Sequence, residues 1–218
     1  ARREALWNAF TPERYPEIIV QAVAEEDCVA AVRLARRQGL KLSVRSGGHS
    51  WAGNHLRDGT LLLDLSRMRE VKVDGLNMRA TAQPGCPGNE LDLELEKLGL
   101  FFPVGHCPGV AIGGYLLQGG FGWNGRVHGP ACQSVVAIDL VTPEGELLTV
   151  SEENEPDLFW AARGSGPGFF SVVTRYHLRL YPRPPVIANG IATYPLDALE
   201  EVFTWAREIG PRVPRWME

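Results

Sequence analysis

The hexapeptide Arg45-Ser46-Gly47-Gly48-His49-Ser50 gathers a guanidinium, two hydroxyls, an imidazole and a glycine pair into one short loop. Successive backbone N–H groups in such a loop can form a concave nest for a phosphate anion, and Gly47-Gly48 lets the backbone approach it closely. Taken alone, the hexapeptide is equally compatible with a glycine turn that exposes a histidine. A second stretch adds weight to the first reading. From Leu98 to Ile138 the only formally charged residue is Arg126, and Gly99, Gly105, Gly109, Gly113, Gly114, Gly119, Gly120, Gly122, Gly125 and Gly129 crowd into it. Glycine at this density suits a backbone that adopts positive φ or presses against something flat or bulky; the alternative is a buried Gly-rich turn region. Cys107, in Gly105-His106-Cys107-Pro108-Gly109-Val110, lies in this stretch, where an isolated thiol reads as buried and inert.

Other patterns lack the context their chemistry requires. Gly120-Phe121-Gly122-Trp123-Asn124-Gly125 matches G-x-G-x-x-G, but Gly-Gly-Tyr-Leu-Leu-Gln-Gly precedes it where a dinucleotide site needs a buried strand. His106-Cys107 and His128 with Cys132 make a poor zinc site, because two ligands are adjacent and no C-x-x-C pair exists, so no metal is expected. Ser165, in Arg-Gly-Ser-Gly-Pro, is not a nucleophile elbow. Glu90, Asp92, Glu94 and Glu96 read as the solvated face of a helix.

The elements that must position these residues are short. A strand at Pro16 to Gln21 precedes a helix with Glu25-Glu26-Asp27 at its N-terminus, Cys28, Ala31, Val32 and Ala35 on its apolar face and Gly39 as its C-cap. A strand at Leu42 to Arg45 carries the hexapeptide at its end. An apolar strand around Leu61-Leu62-Leu63, a hairpin at Asp74-Gly75 and a helix from Asn89 to Leu98 follow, the helix capped by Asn89 with Gly99 just beyond it. Val135 to Val141 and Glu146 to Val150 form a second hairpin, and Asp157 to Arg163 a short helix. From Phe170 to Leu180 strict alternation predicts a half-buried strand. Pro182-Arg183-Pro184-Pro185 is the expected domain boundary; beyond it, Val186 to Tyr194 reads as a strand and Leu199, Val202, Phe203, Ala206 and Ile209 as the stripe of an amphipathic helix. The texture is α+β.

Composition bounds the rest. The 218 residues carry 22 Lys+Arg against 26 Asp+Glu, a formal net charge of −4, with no basic tract, which excludes the footprint of general nucleic-acid binding. No apolar run reaches the length of a membrane span, and the N-terminus shows no signal pattern, so a cytoplasmic protein is expected. Four scattered cysteines do not make a disulfide scaffold.

Together these motifs resemble the flavoproteins of the vanillyl-alcohol-oxidase superfamily, and more closely their berberine-bridge-enzyme-like branch with its PCMH-type FAD-binding domain. The resemblance rests on the Arg45–Ser50 hexapeptide, Asp64-Leu65-Ser66, and Gly105-His106-Cys107-Pro108-Gly109-Val110 leading to Gly113-Gly114 and Gly119-Gly120-Phe121-Gly122. Asp157-Leu158-Phe159-Trp160, Arg163-Gly164-Ser165-Gly166 and Val172-Val173-Thr174 complete it. It implies an FAD-binding domain of two α+β subdomains over residues 1–182, followed at 183–218 by the beginning of a truncated substrate-binding domain. By the same carry-over, Arg45, Ser46, Gly47, Gly48, His49 and Ser50 hold the pyrophosphate, His49 is bonded to the flavin 8α-methyl and Cys107 to its C6. Gly85, Gly105, Gly113, Gly114, Gly120 and Gly122 lie along the cofactor, with Val110 beside flavin C4a, where it bears on access of oxygen, and Val135, Val136 and Val141 near the adenosine half. Tyr115 stands where the family often has a histidine, and Ser165 and Pro167 depart from a run of glycines. The activity implied is that of an oxidase taking hydride from a C–H next to a hydroxyl or amine of a small-molecule substrate and passing electrons to O2. A flavin-binding protein without turnover and a dehydrogenase with another acceptor remain the alternatives. No catalytic base is named.

Overall fold

A computed structural model describes residues 2–8 and 10–217. Near its N-terminus, β1 (Ile18–Gln21), β2 (Lys41–Arg45) and β3 (Thr60–Asp64) form a parallel sheet in the order β1-β3-β2, with α1 (Glu25–Gln38) as the first crossover. The acids read as an N-terminal signal act through one residue: the Asp27 carboxylate accepts the N–H groups of Val23 and Ala24 at 2.9 and 3.1 Å. Gly39, at φ 65°, ends the helix in the left-handed conformation. Every residue of β3 is buried, as expected of a parallel strand covered on both faces. Leu61 and Leu63 join Cys28, Ala31, Val32 and Ala35 of α1, whereas Leu62 packs with Ala5, Leu6 and Leu56 beneath the N-terminal segment.

Downstream, β4 (Val71–Asp74) and β5 (Arg79–Ala82) form the first hairpin, followed by α2 (Gly88–Glu96), β6 (Leu100–Phe101), α3 (Ile112–Leu117) and α4 (Gly125–His128). Then come β7 (Val135–Val141), β8 (Leu147–Ser151), α5 (Pro156–Ala161), β9 (Val172–Arg179) and β10 (Tyr181–Pro182). The larger sheet is antiparallel, ordered β4-β5-β9-β7-β8, while β10 pairs with β6. Its core holds Phe102, Ile138, Leu140, Tyr176 and Leu178. α1 lies between the two sheets, since Val141 and Val172 share its cluster and Arg33 donates to the Gly145 carbonyl at 2.9 Å. Arg175 reinforces the junction through Glu25 and Glu70.

Three expectations need correction. Asn89 does not cap α2; the helix begins at Gly88 after an extended Pro87, and the N–H groups of Gly88 and Asn89 donate to the Val110 and Pro108 carbonyls instead of to a side chain. Strict alternation fails at the start of β9, where Val172 and Val173 are both buried, one in each apolar cluster, because this end of the strand lies between α1 and the larger core. Residues 186–194 form no strand and are exposed; among the described residues no neighbouring strand pairs with them, and an unpaired strand has no ladder to hold it. The helix beyond them is present as α6 (Leu199–Ile209), with none of its residues buried. Arg183 folds back onto α2, pairing with Asp92 at 2.9 and 3.2 Å, so the acidic face of that helix is partly engaged. Among the described residues no helix is long and apolar enough to cross a membrane.

Leu62→Ala removes a fully buried side chain from the layer between β3 and the N-terminal segment. The expected loss of unfolding free energy is ~2–5 kcal/mol, read from urea denaturation with an unchanged m-value.

Candidate functional site

A cleft of about 510 Å³ opens where the carboxyl ends of β2 and β3 meet α3 and the inner part of β9. Open α/β sheets present ligands at this end of their parallel strands. Its wall includes Arg45 to Ser50, then Val110, Ala111, Gly113, Gly114, Tyr115 and Gly120. The structure thus brings together two stretches about sixty residues apart in sequence.

Arg45 does not reach into the cleft as a free cation. Its Nη1 holds both oxygens of Asp64 at 2.8 and 2.7 Å, Nε donates to the Ala5 carbonyl and Nη2 to the Glu4 carbonyl, each at 3.0 Å. Asp64 also accepts the Ser66 N–H at 2.9 Å, which accounts for the Asp64-Leu65-Ser66 motif. Beyond the strut the loop backbone is left open: among the described residues no acceptor is paired with the N–H groups of Ser46, Gly47, Gly48, His49 or Ser50. A row of unpaired N–H groups at a cleft is compatible with an anion nest.

His49 lines the cleft half-buried, and burial holds its imidazole below the ordinary value, leaving a neutral ring with a lone pair. A β-carbon built on Gly109 stands 3.9 Å from His49 Nε2, so the turn Cys107–Val110, closed by the Val110 N–H on the Cys107 carbonyl, lies beside this ring. Cys28, Cys86 and Cys132 are buried and their thiols pushed up by desolvation, but Cys107 is exposed, contrary to the reading of it as an inert buried thiol.

The glycines divide into two groups. A β-carbon on Gly47 would meet Ala111 at 2.8 Å, and one on Gly113 would meet Ser46 and Pro84; these two let α3 approach the nest loop. Gly105, Gly120 and Gly122 instead cage the Tyr115 ring, which accounts for the first two glycines of the G-x-G-x-x-G run without a dinucleotide fold. Gly85 abuts the Leu65 and Met68 carbonyls, and Gly48, at φ +71°, abuts Ala5. Gly114 alone of the site glycines faces open space. Tyr115 donates its proton to the Pro103 carbonyl at 2.7 Å, and burial raises its pKa, so the hydroxyl is committed. Val135, Val136 and Val141 lie on β7 outside the cleft lining.

Among the lining residues that the sequence reading missed are His55, Ser171, Arg57 and Asn54. His55 is buried, bonded to the Ala5 backbone through one ring nitrogen, with burial lowering its pKa and Nε2 left without a partner. The buried Ser171 hydroxyl is likewise unpartnered. Orphaned polar atoms in a cleft wall fit a ligand that supplies their hydrogen bonds. Arg57 and Asn54 also reach the lining. The run Asn54-His55-Leu56-Arg57, polar on both sides of a leucine just after the nest loop, is the signal that pointed there. His106 packs on Trp123 and His128 on Tyr181, and among the described residues no cluster of His, Cys, Asp or Glu is placed to hold a metal.

Residues 16–151 match a family model described as an FAD binding domain. The FAD-linked oxidoreductase janO of Penicillium janthinellum is 39% identical over 211 residues, covering 97% of this chain and 47% of the relative. Xylooligosaccharide oxidase of Thermothelomyces thermophilus is 38% identical over 177 residues, 80% of this chain and 35% of that protein. Glucooligosaccharide oxidase from Acremonium strictum, which carries a 6-S-cysteinyl, 8α-N1-histidyl FAD, superposes with a TM-score of 0.74 at 33% identity, over 78% of this chain and 36% of that one. The chain spans about half the length, or less, of these relatives.

Asp64→Asn leaves Arg45 largely buried without its counter-charge, the side chains being only 12% and 10% exposed. A loss of ~3–5 kcal/mol in unfolding free energy is expected, against little change for Arg69→Gln at the exposed Arg69–Glu90 pair.

Proposed function

Because the chain belongs to the family of FAD-binding domains found in FAD-linked oxidoreductases, we propose that residues 1–182 form the flavin half of an oxidase, with two α+β subdomains meeting at the cleft. The observation that carries this reading is the run of unpaired N–H groups from Ser46 to Ser50 at the cleft, beside a neutral imidazole and the Cys107 turn. Bound there, FAD supplies hydride acceptance from a substrate C–H next to a hydroxyl or amine and electron delivery to O2.

The chain's own residues account for binding and orientation. The N–H groups of Ser46 to Ser50 hold the pyrophosphate by dipoles, and Arg45, through Asp64, keeps that loop in place. His55 and Ser171 donate or accept toward the polar groups of the cofactor, satisfying their own orphaned atoms. Gly114 offers open backbone, and the glycines around Tyr115 fix a flat wall. His49 and Cys107 tether the ring at two points, since a neutral imidazole and an accessible thiol are the nucleophiles able to add to an electrophilic ring. Residues 183–218 begin a substrate-binding domain, and the exposed apolar side chains of α6, Leu199 and Phe203 among them, are the face it builds on.

Digestion of the denatured protein tests the tether. One flavin joining the His49 peptide to the Cys107 peptide is expected by mass; a flavin on the His49 peptide alone, with Cys107 recovered as a thiol, rejects the double attachment.

Val110 lines the cleft after the Cys107 turn, and its size leaves room for oxygen. Val110→Leu in the full chain is expected to slow reoxidation by air about tenfold or more while flavin reduction by substrate is spared. Equal reoxidation in both proteins would overturn the assignment of O2 as acceptor-side partner at this position.

A further inference from the structure

The segment Arg2 to Asn8 lies outside the residues matched by the family model, yet it is bonded directly onto the nest loop. Its Glu4 and Ala5 carbonyls receive the Arg45 guanidinium, and the Trp7 N–H donates to the Gly48 carbonyl at 3.3 Å. The Trp7 indole then lies flat on the His49 imidazole, with 4.5 Å between ring centroids and 3° between planes. Trp51 meets the same indole edge-on at 4.8 Å and 90°, so the indole is itself held. Gly109, whose backbone lies beside His49 Nε2, and Gly48, which precedes His49 in the chain, have no side chains with which to restrict the ring. A histidine on a glycine loop would otherwise exchange among staggered rotamers and swing its ring.

We propose that Trp7 is a positioning residue for His49: its π face sets the plane of the imidazole so that a ring nitrogen is presented toward the flavin 8α-carbon. This rests on the reading of His49 as an attachment site. Attachment replaces one C–H bond of the 8α-methyl and the N–H of the imidazole by a C–N bond. The two protons and two electrons released pass to dioxygen and give hydrogen peroxide. The ring must meet the carbon in one orientation, and a ring free to rotate spends little time there. Trp7 does not itself line the cleft and meets its wall through the His49 ring, so its effect falls on attachment and not on the capacity to hold FAD.

The test is the rate at which flavin becomes inseparable from the polypeptide by acid precipitation, measured after addition of FAD in the full chain carrying Cys107→Ala, so that attachment reads His49 and not the second tether. Trp7→Leu keeps apolar bulk and removes the flat face; Trp7→Phe keeps the face. Trp7 is 42% exposed, so neither change opens a buried cluster, and a thermal melt verifies this. Trp7→Leu is expected to bind the full complement of FAD while attachment slows about tenfold or more, with Trp7→Phe within about twofold of the parent. Attachment at the parent rate in Trp7→Leu would overturn the proposal, as would equal slowing in the leucine and phenylalanine proteins. In the His49→Ala control, unimpaired attachment would remove the reading of His49 itself, and the proposal with it. A His49-dependent attachment indifferent to Trp7 would remove only the role of Trp7.

Discussion

The pairing of Arg45 with Asp64 is the contact on which the site depends. It joins the carboxyl ends of β2 and β3, adjacent parallel strands in register at these two residues. A guanidinium has five N–H donors in a rigid fork, and here four bonds run from it to the carboxylate and to two carbonyls of the N-terminal segment. The fork therefore fastens three pieces of backbone at one point. With the cation consumed, what the supported loop leaves open at the cleft is its row of backbone N–H groups.

Glycine does two different jobs around the cleft. At Gly47 and Gly113 the absence of a β-carbon lets the nest loop and α3 touch, which closes one end of the cleft. Around Tyr115, Gly105, Gly120 and Gly122 let an aromatic ring lie against bare backbone, so a bulky side chain builds a flat wall where a β-carbon would push it away. Neither role is contact with a ligand, although both shape the space a ligand enters. The nearly charge-free composition of this stretch follows from the same packing, since Phe102, Val104, Ile112 and Leu116 from it enter the larger core.

Beyond the Arg45–Asp64 strut, paired charge gathers at the junction of the two sheets. The Arg175 guanidinium bridges Glu70, Glu25 and Asp139 across the junction of the two sheets, and His177 and Thr149 complete the coordination of Asp139, whose carboxyl these bonds hold below its ordinary value. Within the cleft burial lowers the pKa of both histidines and favours their neutral form, which suits nucleophilic or hydrogen-bonding roles. The N-terminal segment joins these two features. It carries carbonyls to the strut and an indole to His49, so it shapes the binding loop from outside the segment that defines the family.

Local patterns determined much of this. The acids before α1, Gly39 after it, the apolar run of β3 and the turns of both hairpins each specify a conformation through neighbours a few residues away, and all were readable from the amino-acid order. The hexapeptide at the end of β2 was recognisable as a loop at the end of a strand for the same reason, and the structure places it in the cleft wall. What depended on distant partners was not readable. Asn89 is a good capping residue by type, but the 108–110 turn supplies the carbonyls that make a cap unnecessary. Residues 186–194 have strand composition and no partner among the described residues. Arg45 looks like a phosphate ligand until Asp64, nineteen residues on, takes its fork. His55 and Ser171 become site residues only because folding leaves their polar atoms unpaired at a common wall. Sequence order determines what each segment can do with its own neighbours; which donors are already satisfied, and which remain for a ligand, is decided when segments far apart compete for them in the folded core.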